Sequence, residues 1–314
     1  MTYLNLNRRH LLALGAAALH PVAFAAPRRS GHLMVVGGAE DRLKDKIILR
    51  RFLELCGGPN ANILLLTAAS SDQPGAWRGY DQVFQEMGST QASQLAISGP
   101  DEANDPAIAA RILNADGIFM TGGDQRRLMA SLWETLATRA MHTAFHARGC
   151  CIGGTSAGAA AMSRIMLAEG DTPPLPQKDA AVLDVGLGFV DSAIVDQHFS
   201  QRRRLGRLLS VLAQRPDMLG VGIDEDTALI IERGRGIEVI GQGVVTLIDG
   251  RRMRSNFNDV ASSEPLEMLG VTMHVLPAGH HYRSTVTERG ISRPMPTTLR
   301  DAIRVLVAPG PIRG

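Results

Sequence analysis

The heptapeptide Gly153-Gly154-Thr155-Ser156-Ala157-Gly158-Ala159 constrains this chain more than any other stretch. It contains G-x-S-x-G, the pattern of a serine on a strained strand-to-helix turn, flanked by glycines because a Cβ there would meet close backbone. Its surroundings agree. Residues 149–154 (GCCIGG) read as a short buried strand, and residues 157–162 (AGAAAM) as a helix start made almost wholly of small residues. Ser156 would then stand at the carboxyl edge of a sheet and on a helix N-terminus, which makes it the candidate nucleophile. The motif alone fits equally well a glycine-rich connection with an incidental serine, so the rest of the chain has to decide.

The preceding residues alternate between strand and helix patterns. An apolar run at 33–36 ends at Gly37-Gly38, and a helical pattern to Leu55 is stopped by Cys56-Gly57-Gly58-Pro59. Residues 62–67 (NILLLT) form a second buried strand, the loop 68–71 follows, and a helix reaches Met87. A third strand at 95–97, a helix at 106–114 and a fourth strand at 117–121 lead to Gly122-Gly123-Asp124-Gln125. One helix from about 126 to 148 then enters the elbow. This alternation implies an α/β fold with a doubly wound, mostly parallel sheet, whose ligands bind beyond the carboxyl ends of the strands. The turns 37–41, 68–71 and 122–125 could serve one pocket there. The first strand is followed by neither G-x-G-x-x-G nor a P-loop lysine, so no nucleotide cofactor is expected.

After the elbow, residues 171–178 (DTPPLPQK) read as a surface loop able to serve as a lid. A strand over 186–195 delivers Asp196-Gln197-His198-Phe199 to a helix carrying Arg202, Arg203, Arg204 and Arg207. Another strand, 220–223, ends at Asp224-Glu225-Asp226-Thr227. From 228 to about 281, short alternating strands with glycine turns indicate antiparallel β structure appended to the sheet edge, and the tail from Pro294 reads as loosely attached.

An acyl-transfer serine needs a base for its proton and an acid to orient that base. Among the seven histidines beyond position 25, His198 is the one at a strand end within a polar constellation. Glu225 follows at the next strand end, with Asp224 and Asp226 equally placed for the orienting role. His142 and His146 stand four apart but lack the glutamate of H-E-x-x-H, so no metal site is expected. Three cysteines, Cys56, Cys150 and Cys151, imply neither a disulfide framework nor a metal site, and the adjacent pair should be buried ahead of the turn.

The first 25 residues have the pattern of a twin-arginine export signal: Arg8-Arg9, an apolar run, then Ala23-Phe24-Ala25 as an A-x-A cleavage site. Removing these two arginines takes the formal charge from +2 to zero, which gives nucleic-acid binding no support. No later stretch is long and apolar enough for a membrane helix. The chain therefore divides into 1–25 (signal), 26–285 (catalytic domain) and 286–314 (tail), with an exported, periplasmic or extracellular destination.

Taken together, Gly37 to Arg42, Gly122 to Gln125, the elbow, Asp196 to Phe199 with its arginines, and Gly222 to Ala228 resemble the cyanophycinases of serine peptidase family S51. The resemblance runs from about His32 to Tyr282. It implies the flavodoxin-like fold of class I glutamine amidotransferases, with Ser156, His198 and Glu225 as nucleophile, base and orienter. It also implies an oxyanion hole from Ala157 with Gly122 or Gly123, and substrate recognition by Gln125, Asp196, Gln197, Arg202, Arg204 and Arg207. The substrate class implied is cyanophycin or a β-aspartyl peptide: an aspartate backbone with arginine on each β-carboxyl, released as β-aspartyl-arginine. No cofactor is implied, and a homodimer is usual in the family. The competing readings are an S51 α-aspartyl dipeptidase, an α/β-hydrolase esterase using Asp224 and His280, and a catalytically silent binding protein.

Overall fold

The computed structural model describes residues 31–284 and 295–308. Residues 1–25, where the sequence leads one to expect an export signal, and residues 286–294 and 309–314 of the tail lie outside them. Five parallel strands form the centre: β1 (His32–Val36), β2 (Ile63–Leu66), β3 (Ala92–Leu95), β4 (Gly117–Met120) and β5 (Cys151–Thr155). Next come a hairpin, β6 (Ile165–Gly170) and β7 (Ala181–Val185), then β8 (Ala193–Asp196) and β9 (Leu219–Ile223). The remaining strands are β10 (Thr227–Glu232), β11 (Gly236–Gly241), β12 (Val244–Asp249), β13 (Arg254–Ser255), β14 (Met268–Leu269), β15 (Thr272–Pro277) and β16 (His280–Arg283).

The principal sheet has the order β16-β11-β10-β1-β5-β4-β2-β3. Its strands β1, β5, β4 and β2 are apolar at nearly every position, with only His32 opening β1 and Thr155 closing β5, because both faces are covered. In β1, Leu33 and Val35 join the core on one face while Met34 and Val36 join the core on the other, as side-chain alternation along a strand requires. The helices that cover these faces are α1 (Ile47–Cys56), α2 (Gln73–Glu86), α3 (Pro100–Ala103), α4 (Pro106–Leu113), α5 (Gln125–Leu132), α6 (Leu136–Thr143) and the short α7 (Ala157–Ala161). Their starts follow from sequence. Asp72 and Asp105 accept backbone N–H groups at the starts of α2 and α4, each with a proline in the first turn.

Four features depart from the sequence reading. The strands β8 and β9 are not part of the sheet that carries Ser156. They pair in parallel with each other, and a second sheet of order β15-β12-β9-β8 holds them, because β10 runs antiparallel along the edge of β1 that they would have used. The expected helix over 126–148 is broken at Trp133 and Glu134. Glu134 takes φ 57°, Thr135 caps α6 by accepting the Thr138 N–H at 3.4 Å, and a π turn at Ala144–Arg148 finishes the segment.

Residues 186–192 are irregular, so the strand before His198 is only β8. The tail is not loosely attached over its described part. There α9 (Thr297–Val307) buries Leu299, Ala302, Ile303, Leu306 and Val307 in the principal core. The remaining helix, α8 (Leu205–Gln214), packs Leu208, Val211 and Leu212 against Ile194 of β8 and Ile248 of β12.

Candidate active site

The buried strand β5 ends at Thr155, and Ser156 turns the chain into α7 with φ 52° and ψ −109°. That conformation is disfavoured for a residue with a Cβ and is held by its surroundings. The Ser156 N–H donates to Val36 O at 3.1 Å, so the turn is tied to the end of β1. The neighbouring Gly122 sits against it: a Cβ there would lie 3.5 Å from Ser156 Cβ. Ala157 opens α7, and its N–H therefore has no intrahelical acceptor.

His198 approaches from the second sheet. It follows β8 with φ 47°, and its N–H donates to Gly37 O at 2.7 Å. The same turn after β1 accepts the Asp226 N–H at Gly38 O, 2.9 Å. Gly37-Gly38 is thus a strap that joins the principal sheet to the loops after β8 and β9. Gly38 has φ 100°, and a Cβ on it would lie 2.4 Å from His198 Cε1; only glycine fits.

These constraints bring three predicted residues together. Ser156 Oγ lies 2.9 Å from His198 Nε2, and His198 Nδ1 lies 2.6 Å from Glu225 Oε1. The order serine–imidazole–carboxylate makes Nδ1 the donor to Glu225 and leaves Nε2 as an acceptor. Burial lowers the His198 pKa from its ordinary 6.5, Glu225 pulls it back and the Arg202 charge lowers it again. The neutral imidazole needed to receive a proton is therefore the favoured form at neutral pH.

Asp224 is spent elsewhere: its two oxygens accept the N–H groups of Ser200 at 3.0 Å and Val244 at 3.2 Å. Asp226 accepts the Asp41 N–H at 2.8 Å. His280 lies on β16, the outermost strand of the principal sheet, with an exposed side chain. The Ser156, Asp224, His280 arrangement of an esterase is not formed.

The six residues expected to face substrate divide into three sets. Asp196 is 1% exposed, and a buried carboxylate needs partners. Arg207 supplies them by gripping both its oxygens, with Nε 3.0 Å from Oδ2, and Arg204 lies 3.4 Å from Oδ1. Arg204 also donates to the Gln197 side chain at 3.0 Å, and Gln197 Oε1 lies 3.5 Å from Ser156 Oγ. Asp196, Arg204 and Arg207 are consequently a buried ion cluster that aims Gln197, and the two guanidiniums that the resemblance assigned to substrate are turned to a buried acid. Gln125 donates to the carbonyls of Leu167 and Ala168 in β6. Arg202 alone of the three arginines is exposed.

Sequence reasoning passed over Glu40 and Tyr80. Glu40 is buried, accepts the Tyr80 hydroxyl, and accepts the Thr155 hydroxyl at 2.5 Å, directly before the elbow. Its position in the turn after β1 was the available signal. Among the described residues no group of three or more histidine, cysteine or acidic side chains is placed to hold a metal. Cys150 and Cys151 are buried, and burial pushes the Cys150 thiol well up.

The profile of peptidase family S51 matches residues 33–239. The chain belongs to this family. It is 37% identical over 269 residues to a cyanophycinase of Thermosynechococcus vestitus, covering 84% of this chain and 83% of that protein. It is 38% identical over 251 residues to a cyanophycinase of Geminocystis herdmanii, covering 80% and 92%. A solved peptidase from an acI-B1 actinobacterium shares the fold, with a TM-score of 0.59 at 19% identity over 81% of this chain and 96% of that one. This S51 member is therefore a hydrolase that acts as a peptidase, built on the α/β sheet architecture its sequence implied.

Proposed function

We propose that this S51 peptidase hydrolyses cyanophycin and releases β-aspartyl-arginine through an acyl-enzyme on Ser156. The observation that carries the reading is the continuous relay from Ser156 Oγ through His198 to Glu225, at 2.9 and 2.6 Å. Ser156 Oγ attacks the scissile carbonyl while its proton passes to His198 Nε2, and Glu225 holds the resulting imidazolium. The N–H of Ala157, with Gly122 or Gly123, receives the oxyanion. His198 then gives the proton to the leaving amine, and water repeats the sequence on the ester.

Support for the substrate comes from the curated cyanophycinases this chain resembles and from the charge of its own wall. Arg202 is exposed near His198, and Gln197 is presented to the nucleophile by Arg204. A carboxylate-bearing, arginine-rich polymer offers partners to both. The twin-arginine segment supports export of the enzyme, which would then meet polymer outside the cytoplasm.

The test is mass spectrometry of products after incubation of the chain lacking residues 1–25 with cyanophycin, α-aspartyl dipeptides and a simple ester. Release of β-aspartyl-arginine, abolished by Ser156→Ala, is the expected result. Cleavage of α-aspartyl dipeptides alone would move the function to a dipeptidase; unimpaired hydrolysis by Ser156→Ala would remove the serine from its role.

A further inference from the structure

A second wall meets the nucleophile, built from elements that the ion cluster does not use. A cavity of about 280 Å³ is lined by Glu40, Arg42, Tyr80 and Thr121 together with Ser156 and His198. Gln125, Gln197, Arg202, Arg204 and Arg207 do not line it. The wall is rigidly tied to the nucleophile. The Tyr80 hydroxyl donates to Glu40, whose other oxygen accepts the hydroxyl of Thr155, the residue before Ser156. On the solvent side of this ring lies Arg42, exposed, with its guanidinium carbon 5.1 Å from the ring centroid.

Two polar groups in this wall, one a guanidinium and one a hydroxyl, lack an ion-pair or hydrogen-bond partner among the described residues. Arg42 has no carboxylate within 4.0 Å among the described residues, although the chain around it supplies Glu40, Asp41 and Asp45. Thr121 is 2% exposed, and its hydroxyl has no hydrogen-bond partner among the described residues. An unpaired buried hydroxyl costs free energy unless a ligand satisfies it. A guanidinium stacked on an aromatic face keeps its N–H edge free, and that edge matches a carboxylate bidentately. Glu40 sits at the floor, and Arg42 at the rim, so an anion is admitted at the mouth only.

We propose that this cavity is the subsite for the leaving side of the substrate, and that Arg42 clamps a carboxylate carried by the residue on that side. The side carrying Gln197 and the exposed Arg202 then holds the acyl side, and the scissile bond spans the two at Ser156. The proposal rests on the reading of the substrate as an arginine-bearing aspartyl chain, whose arginines each present a free carboxylate.

The test uses binding to Ser156→Ala, which blocks turnover, with two fluorescent probes: a β-aspartyl-arginine trimer with free arginine carboxylates, and the same trimer with these as carboxamides. Adding Arg42→Ala should weaken the carboxylate trimer about tenfold and the carboxamide trimer by less than about twofold, with Arg42→Lys in between. Arg42 is exposed, so the variant keeps its fold. Equal losses on both probes, no loss on either, or no binding of either probe to Ser156→Ala would overturn the subsite. Failure of the functional reading is distinguishable: a chain that leaves cyanophycin intact yet shows the Arg42-dependent preference loses the function and keeps the subsite.

Discussion

Gly38→Ala tests whether the strap after β1 sets the position of the base. A Cβ at this site lies 2.4 Å from His198 Cε1 and 2.5 Å from Nε2, whereas carbon atoms in contact sit about 3.5–4.0 Å apart. The strap cannot retreat freely, because Gly37 O holds the His198 N–H at 2.7 Å and Gly38 O holds the Asp226 N–H at 2.9 Å. The imidazole must therefore move by about 1 Å. Its contact with Ser156 Oγ, now 2.9 Å, then leaves the range of about 2.6–3.2 Å in which a base takes a proton. A displacement of that size costs about 10²-fold in rate.

Alanine at φ 100° adds a backbone cost of about 1–2 kcal/mol. Gly57→Ala separates the two effects, since Gly57 has φ 116° with nothing within 4 Å of its Cβ position. The expected outcome is a loss of about 100-fold in kcat/KM for Gly38→Ala. For Gly57→Ala it is a Tm lower by about 2–8 °C with kcat/KM unchanged. Steady-state hydrolysis and thermal denaturation of both variants read this out. A Gly38→Ala enzyme within about threefold of the unmodified one would refute the steric argument.

Three further outcomes follow from the geometry. The acid limb of the kcat/KM profile should have its midpoint below 6.5, because burial and Arg202 both lower the His198 pKa, and Arg202→Ala should move that midpoint upward; a midpoint above 6.5, or one unmoved by the variant, contradicts this assignment. Arg207→Met strips Asp196 of its two-pronged partner and should cost about 3–5 kcal/mol in urea unfolding, with Asp196→Asn added to it restoring part of the loss. Ile303→Ala empties a fully buried site beneath α9 and should cost about 2–5 kcal/mol, whereas a dangling tail would show no change.

The central strands were legible because burial on both faces writes them as unbroken apolar runs, 63–66 being the clearest. The division into two sheets was not, since it depends on whether β8 or β10 takes the free edge of β1, a choice with no local signature. The break at Glu134 turns on one side-chain cap from Thr135, which a helical periodicity averages away. For α9 the signal was present: Leu299, Ala302, Ile303 and Leu306 repeat at helical spacing, but the surrounding prolines and arginines read as tail.

At the site, Ser156, His198 and Glu225 could be picked out because each ends a strand. The pairing of Asp196 with Arg207 could not, because spacing does not say whether an arginine faces a ligand or a buried acid. The Glu40 contacts join residues 40 and 115 positions apart in the chain, and only the folded backbone brings them together.

Placing Ser156 and His198 at strand ends of different sheets has a consequence for the order in which the proposed site is assembled. Ser156 leaves the ribosome 42 residues ahead of His198, and β9, whose end carries Glu225, gains its outer neighbour only when β12 has been made. A partly synthesised or truncated chain therefore displays an idle hydroxyl. The relay closes only when residues of both sheets have been made and have folded against one another.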